Sequence, residues 1–378
     1  MTEKLVNRYD VVVVGGGAAG LSGALMLARS RRSVLVVDAG APRNAPAEGV
    51  HGLLGHDGVK PADLLERGRA EVRRYGGHVV HGEVAGVERA DAGSTAPGST
   101  APGSTAPGST APGSTAPGST APGSTAPGST APGFTVSLTD GRSVHARRLL
   151  VASGLVDELP AVEGLRDRWG HDVVHCPYCH GWEVRDRAIG VLASGPMSVH
   201  QALLFRQLSA DVTYFANSRP LSEEDGEKLA ALDVPVVHGE VAAVEVADDR
   251  LTGLRLADGT VVAREVVAVA TRMVARAEFL AGLGLRAVEH PSGTGVHVPS
   301  DGMGRTEVPG VWVAGNVTEP SAQVGASSAA GAAAGAQINA DLVAESTRWA
   351  VDLRRSPFDH ASEARNAERV AGPRRHGL

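Results

Sequence analysis

The sequence predicts an α/β protein of two doubly wound, three-layer domains, the second inserted in the first, with small antiparallel β-sheets beside them. Three observations lead there. An apolar strand near the N-terminus runs straight into a glycine-rich turn and a helix; a second strand, turn and helix of the same outline begins near Ala188; and a third apolar strand, ending in Gly315-Asn316, returns late in the chain. Between the first two sets stand the only two cysteines of the 378 residues, Cys176 and Cys179.

The first set is the most specific. Arg8 to Val14 contains Val11-Val12-Val13-Val14, a β-branched run that reads as a buried parallel strand. It ends in Gly15-Gly16-Gly17-Ala18-Ala19-Gly20. This is G-x-G-x-x-G with Gly15 placed for the tight turn, Gly17 for close approach of pyrophosphate, and Gly20 for packing of helix on strand. A helix from Leu21 to Ser30 presents its N-terminal dipole to the phosphates. The next strand, Ser33 to Val37, ends in Asp38, 18 residues beyond Gly20, where an acid hydrogen-bonds an adenosine ribose. Together these five features specify a Rossmann-like dinucleotide site; the glycines alone do not.

Beyond Asp38 comes Ala41-Pro42-Arg43-Asn44, then a glycine- and histidine-rich loop from Val50 to Gly58, whose His51 and His56 suit either the lining of a ligand site or simple solvation and hydrogen bonding. Helical spacing runs from Pro61 to Tyr75 and stops at Gly76-Gly77. Val79 to Val87 reads as one strand at a sheet edge. Eight tandem copies of Gly-Ser-Thr-Ala-Pro then occupy residues 93–132. That composition cannot bury enough surface to offset its ordering entropy, so a mobile, partly polyproline-like loop is expected, a neutral expansion without a role of its own. Phe134 to Leu138 alternates as a strand, and Asp140-Gly141 turns it into Val144 to Leu150, so the repeat is spliced into a hairpin connection rather than set between domains.

Leu149 to Gly154 is a second buried strand ending in small residues, and Leu159-Pro160 begins a crossover. The division that follows is a first domain in two parts, 1–160 and 273–345, an inserted domain at 161–272, and a polar extension at 346–378. In the inserted domain Ala188 to Ala193 is a strand and Ser198 to Leu208 a helix, but the turn between them, Ala193-Ser194-Gly195-Pro196-Met197-Ser198, keeps only the middle glycine. The following strand, Val212 to Ala216, runs into Asn217-Ser218-Arg219, with neither a ribose-reading acid nor paired arginines. Further strands are expected at Val234–Val237, Val241–Val246, Leu251–Leu256 and Val261–Val269, with a return to the first domain near Thr271 to Arg276. Ala322-Gln323-Val324 opens a helix of small residues through Asp341, able to approach a cofactor closely. The tail from Ser346 reads as loosely held.

Composition excludes several classes. With 36 basic and 42 acidic residues the net charge is −6, which argues against nucleic acid or an anionic membrane as partner. No apolar run approaches the ~18 residues a membrane span requires. The start, Met1 to Leu5 followed at once by a strand, shows no apolar export segment, and one C-x-x-C without further cysteines suits a reducing cytoplasm, where such pairs are catalytic more often than structural.

The stretch His175-Cys176-Pro177-Tyr178-Cys179-His180 admits four chemistries. It matches the C-x-x-C-H of covalent haem, which belongs to exported proteins. A structural zinc needs a second ligand pair that the sequence lacks, and no metal is expected. Two inert buried cysteines are possible. A redox pair, closing a small ring and storing two electrons, is the reading the flanking cofactor motif supports. His180 is the candidate base for the thiols, with a structural histidine bonded to backbone as the competing reading; His175 is the weaker candidate.

With these pieces assembled the chain resembles the thioredoxin reductase-like flavoproteins over nearly its whole length, the repeat and the tail excepted. The resemblance rests on Gly15, Gly17 and Gly20 with Asp38, on Ala152-Ser153-Gly154, on Cys176-x-x-Cys179, and on Gly315-Asn316 with Gln323-Val324. It implies FAD as cofactor, held also by Ala18, Ala19, Ala39 and Val84, and a homodimer. It further implies that Cys179 reacts with the flavin and Cys176 forms the mixed disulfide. Three departures from that family stand out: His180 replaces an acid, Asn316 replaces an aspartate, and the nicotinamide turn is eroded. Cys-Pro-Tyr-Cys-His-Gly looks most like the small-molecule dithiol oxidases of the same superfamily, of the holomycin and gliotoxin type. That likeness implies a small dithiol and O2 as partners, with an NADPH-dependent disulfide reductase and a non-catalytic redox sensor as alternatives.

Overall fold

The computed structural model describes residues 5–90 and 133–355, together with 363–364 and 366–367. The repeat at 93–132 lies outside the described residues, as does most of the chain beyond Arg355.

The chain opens with β1 (Arg8–Val14), α1 (Ala18–Arg29), β2 (Val34–Asp38), α2 (Pro61–Arg74) and β3 (His78–His81). It continues through β4 (Val84–Ala90), β5 (Gly133–Leu138), β6 (Ser143–Val151) and β7 (Leu155–Glu158). The first sheet has the order β3-β2-β1-β6-β5-β4, parallel from β3 to β6 and antiparallel from β6 to β4. Its valines alternate between two cores. Val11 and Val13 pack with Leu21, Ala24 and Leu27 of α1, while Val12 and Val14 pack with Phe134, Val136 and Leu280 on the other face. Each is at most 5% exposed, and full burial of such a side chain contributes about 1.5–3 kcal/mol. The single edge strand expected at Val79–Val87 is in fact two. The chain turns at Gly82, whose N–H closes on the Asp38 carbonyl at 3.0 Å, leaves the parallel edge and reappears as β4 at the opposite edge. Ala90 pairs with Gly133, so the repeat enters between two hydrogen-bonded antiparallel strands.

The inserted region runs β8 (Val173–Val174), α3 (Pro177–His180), β9 (Ile189–Leu192), α4 (Ser198–Phe205), β10 (Val212–Phe215), α5 (Glu223–Ala231) and β11 (Val236–Val237). It ends with β12 (Val241–Ala247), β13 (Arg250–Leu256), β14 (Val261–Ala263) and β15 (Val266–Val269). A parallel sheet of order β11-β10-β9-β15-β8 has α4 and α5 on one face, through Ala202, Phe205 and Leu229. The antiparallel β12-β13-β14 covers the other face through Leu251, Leu254 and Leu256, which completes three layers. Val261–Val269 also divides: β14 belongs to the antiparallel sheet and β15 to the parallel one, because Glu265 and Val266 redirect the backbone onto the Ala188 carbonyl.

The return strand β16 (Arg272–Ala275) pairs antiparallel with β7, so the outgoing and incoming crossovers run side by side. After β17 (Val288–Glu289) and β18 (Gly295–His297), the strand β19 (Val311–Val313) joins the first sheet along the second half of β6, whose first half is taken by β5. The last element, α6 (Val324–Arg355), crosses α1 closely: a Cβ on Gly335 would lie 2.7 Å from the Gly23 carbonyl oxygen, and one on Gly331 would run into the Ala19 carbonyl. The helix does not stop near Asp341. It continues past Ser346 because Arg148 of β6 grips Asp341 and Glu345 at 2.6 and 2.5 Å. Two doubly wound domains, one inserted in the other, is therefore the architecture.

Candidate active site

A cavity of about 1610 Å³ opens between the two domains. Its first wall is the end of β1 and the start of α1. Gly15 holds φ +105°, a left-handed conformation, and a Cβ there would collide with the Ala152 carbonyl. Gly17 is the N-cap of α1 with no side-chain cap, and nothing lies within 4 Å of where its Cβ would be. The first-turn N–H groups therefore face open space beside Ala18 and Ala19, which is how a helix N-terminus takes a phosphate. Gly20 is not on the cavity; it meets the Gly15 carbonyl oxygen and seats the helix on the strand.

Asp38 and Ala39 line the same cavity at the end of β2, Val84 at the start of β4, and Ala152, Ser153 and Gly154 after β6. Asp38 accepts from Gly40 N at 3.0 Å and lies 3.6 Å from Arg69 of α2. Gly315, Asn316, Gln323 and Val324 form the wall opposite. Asn316 Nδ2 donates toward the carbonyls of Glu319, Pro320 and Ala322 at 3.2, 3.1 and 2.8 Å. An aspartate could make none of these bonds. The asparagine holds the turn that leads into α6 and leaves Oδ1 to accept from a hydroxyl. An uncapped helix start, an open glycine, a carboxylate at the second strand end and a small-residue opposite wall all fit FAD.

The cysteines close the cavity from the inserted domain. They form a disulfide with Cα atoms 5.2 Å apart, Cys176 as the N-cap of the one-turn helix α3 and Cys179 within it. Pro177 sits at the first helical position, where it lacks no needed donor. His180 lies half-buried on the same turn, and neither ring nitrogen has a hydrogen-bond partner among the described residues. Burial lowers its pKa below the ordinary 6.5, against an opposing pull from Glu183, so the ring is neutral at neutral pH and keeps a nitrogen able to take a proton. The backbone-bonded histidine is instead His175, whose Nδ1 lies 3.1 Å from the Val269 carbonyl oxygen. Its pKa is also lowered, by burial first and by Arg43 second.

The second dinucleotide turn is closed by its own chain. Ser198, fully buried, accepts at Oγ from the N–H groups of Ser194 and Gly195 at 3.0 and 3.2 Å. Those two amides therefore find their acceptor within the turn itself. Asn217, at the ribose-reading position, is tied by Nδ2 to the Ala193 carbonyl and by Oδ1 to Val241 N.

Several residues on the cavity were not singled out from sequence: Asp157, Thr271 and Gln201, with Arg43 and His51 noted only as part of a loop. Gln201 donates to the His175 carbonyl at 2.6 Å, and His51 Nε2 lies 3.4 Å from Glu183 Oε1. Their partners are distant in sequence, so only the fold reveals them. Among the described residues no group of three or more His, Cys, Asp or Glu is placed to hold a metal ion, and no helix is long and apolar enough to cross a membrane.

A disulfide and a dinucleotide cradle on one cavity define a flavin-dependent thiol–disulfide oxidoreductase. The chain belongs to the pyridine nucleotide-disulphide oxidoreductase family, whose model matches residues 9–336. It is similar to the crystal structure of HlmI, 42% identical over 94% of this chain and 99% of that one, with a TM-score of 0.78. It is also similar to an oxidoreductase from Agrobacterium tumefaciens, 30% identical over 89% and 99% of the two chains with a TM-score of 0.73. Among curated sequences it is similar to thioredoxin reductase tcpT of Claviceps purpurea, 28% identical over 82% of this chain and 87% of that protein. Thioredoxin reductase sirT of Leptosphaeria maculans is 26% identical over 89% and 97%. FAD is the cofactor of this family and of this protein.

Proposed function

We propose that the protein is a dithiol oxidase: it closes a disulfide in a small-molecule, natural-product dithiol and passes the electrons to O2, giving H2O2. One observation carries the reading. The oxidised Cys176–Cys179 pair lines the same cavity as the Gly15–Ala19 cradle, while the turn that would admit a nicotinamide nucleotide has its amides bonded to Ser198. Electrons then enter at sulfur.

In the proposed cycle a substrate thiol gives its proton to His180 and the thiolate attacks Cys176 Sγ, breaking the Cys176–Cys179 bond and releasing Cys179 as thiolate. The second substrate thiol attacks the mixed disulfide, Cys176 leaves with the electron pair, and the product departs as a cyclic disulfide. Two electrons and two protons now reside on the protein. Cys176 and Cys179 then close their disulfide again, Cys179 being the sulfur nearer the cradle in this scheme, and bound FAD would supply the two-electron relay by which that pair, with two protons, reduces dioxygen to H2O2. The sum is dithiol plus O2 to disulfide plus H2O2. Cys176, Cys179 and His180 are the catalytic residues of this scheme; Gly15, Gly17, Ala18, Ala19, Asp38, Ala39, Val84, Ala152, Ser153, Gly154, Gly315, Asn316, Gln323 and Val324 are the proposed FAD contacts, with Gly20 behind them. A cytoplasmic homodimer is the expected form.

The relatives named thioredoxin reductase favour a second reading, an NADPH-dependent reductase of a thioredoxin-like disulfide. Oxygen uptake and peroxide formation by the FAD-loaded protein with a panel of small dithiols decide between them. Turnover that vanishes in Cys176→Ser and Cys179→Ser is expected. Full activity without either sulfur, or inertness to every dithiol in air with rapid flavin bleaching by NADPH under anaerobic conditions, refutes the proposal.

A further inference from the structure

The chain leaves the first domain along β7 and comes back along β16, and one side-chain cluster ties both crossovers to the first domain. Asp157 of β7 is 8% exposed. Its two oxygens accept from Nε and Nη2 of Arg43 at 2.6 and 2.7 Å, and Oδ1 also accepts from Thr271 Oγ1, just before β16, at 2.5 Å. The remaining Arg43 nitrogen, Nη1, donates to the Pro320 carbonyl at 3.3 Å, on the turn that Asn316 holds. Arg43 itself sits in the loop after β2. Three residues on, Pro46 packs against Gly170 of the inserted domain, where a Cβ would come within 2.5 Å of its ring. The same cluster adjoins His175, which feels the charges of both Arg43 and Asp157 and immediately precedes Cys176.

We infer that Arg43 is a positioning residue. Its guanidinium fork fixes the two crossover strands, and with them the Cys176–Cys179 turn, in the orientation that faces the cradle of Gly15, Gly17 and Asp38. The inference rests on the reading of the cysteine pair as the point where electrons enter. A fork is required because both carboxylate oxygens and a carbonyl must be met at once; a lysine ammonium is a single point charge and cannot span them. Arg43 lines the cavity, but its three guanidinium nitrogens are all engaged by Asp157 and the Pro320 carbonyl, so the inference expects its loss to act on orientation rather than on substrate binding. What suffers is the passage of electrons from the cysteines toward the cradle, where misplacement by an ångström costs up to about 100-fold.

The test uses the full-length, FAD-loaded protein as wild type, Arg43→Met, Arg43→Lys, and the double variant Arg43→Met with Asp157→Asn, which leaves no uncompensated buried carboxylate. The expected result is a fall in kcat of about 10- to 100-fold with KM changed by less than about twofold, only partly restored by Lys. Faster hydrogen exchange at residues 155–158 and 272–275 and faster alkylation of the reduced cysteines should accompany it. Unchanged exchange at both strands in the double variant overturns the inference, as does a rise in KM at constant kcat, which would make Arg43 a substrate contact. A wild type that oxidises no dithiol sinks the proposed function instead, and the exchange comparison still decides the role of Arg43.

Discussion

Replacing Asn316 by aspartate, an exchange of one NH2 group for an oxygen, tests the turn at the mouth of α6. The amide nitrogen has two hydrogens for its three acceptors at 2.8–3.2 Å, so two full hydrogen bonds are at stake. At a net value of about 1 kcal/mol each they contribute roughly 2 kcal/mol. The carboxylate also sets a negative oxygen against three carbonyl oxygens, which adds repulsion of about 1 kcal/mol in a half-buried site. A loss of roughly 2–3 kcal/mol from the turn that shapes the opposite wall corresponds to FAD binding about 30- to 150-fold weaker. Reconstitution of the apoprotein, followed by flavin fluorescence, measures it directly, and Asn316→Ser separates the lost bonds from the added charge. If Asn316→Asp binds FAD as tightly as the parent and melts at the same temperature, the turn is not held as described.

Protonation offers a second test: both His175 and His180 have pKa values lowered by burial, so the unfolded chain binds more protons than the folded one between those lowered values and 6.5. Stability is thus complete above pH ~6.5 and declines as pH falls below it; urea midpoints at pH 8 and pH 5.5 should show the loss, a smaller one in His180→Gln, and a flat profile refutes it. Gly331→Ala drives a methyl into the Ala19 carbonyl at the α1–α6 crossing and should cost about 1–3 kcal/mol with weaker FAD retention; an unchanged melting temperature counts against the close packing. Cys179→Ser, incubated with an excess of oxidised small dithiol, should accumulate a mixed disulfide at Cys176 by mass spectrometry, whereas Cys176→Ser should not; the reverse pattern exchanges the two roles.

The parts of the molecule legible in sequence are those whose physics is local. The Val11–Val14 run, the glycine turn and Asp38 fall within 31 consecutive residues, from Arg8 to Asp38, and each forms against its immediate neighbours. Strand ends were harder. Val79–Val87 and Val261–Val269 keep a β-branched character across a change of partner, and only the hydrogen bonds of Gly82 and of Glu265 and Val266 show where one sheet is left for another. The helix α5 carries one buried residue, Leu229, and so shows almost no apolar periodicity, although Ser222 capping Asp225 N at 3.1 Å was a readable start signal. In the active site, His180 and the cysteines were visible because they share one turn. Arg43 and Asp157 were not, since their bond joins positions 114 apart and neither residue stands in a recognisable pattern.

The hairpin of β4 and β5 begins at the cavity with Val84 and ends at Ala90 opposite Gly133, about 20 Å further on at ~3.3 Å per residue. The chain between Ala90 and Gly133 is 42 residues long, and the two strands that flank it are nonetheless paired up to that rim. The rim is a natural splice port, through which a tag or a whole companion enzyme could be grafted in frame while both flanking strands keep their pairing.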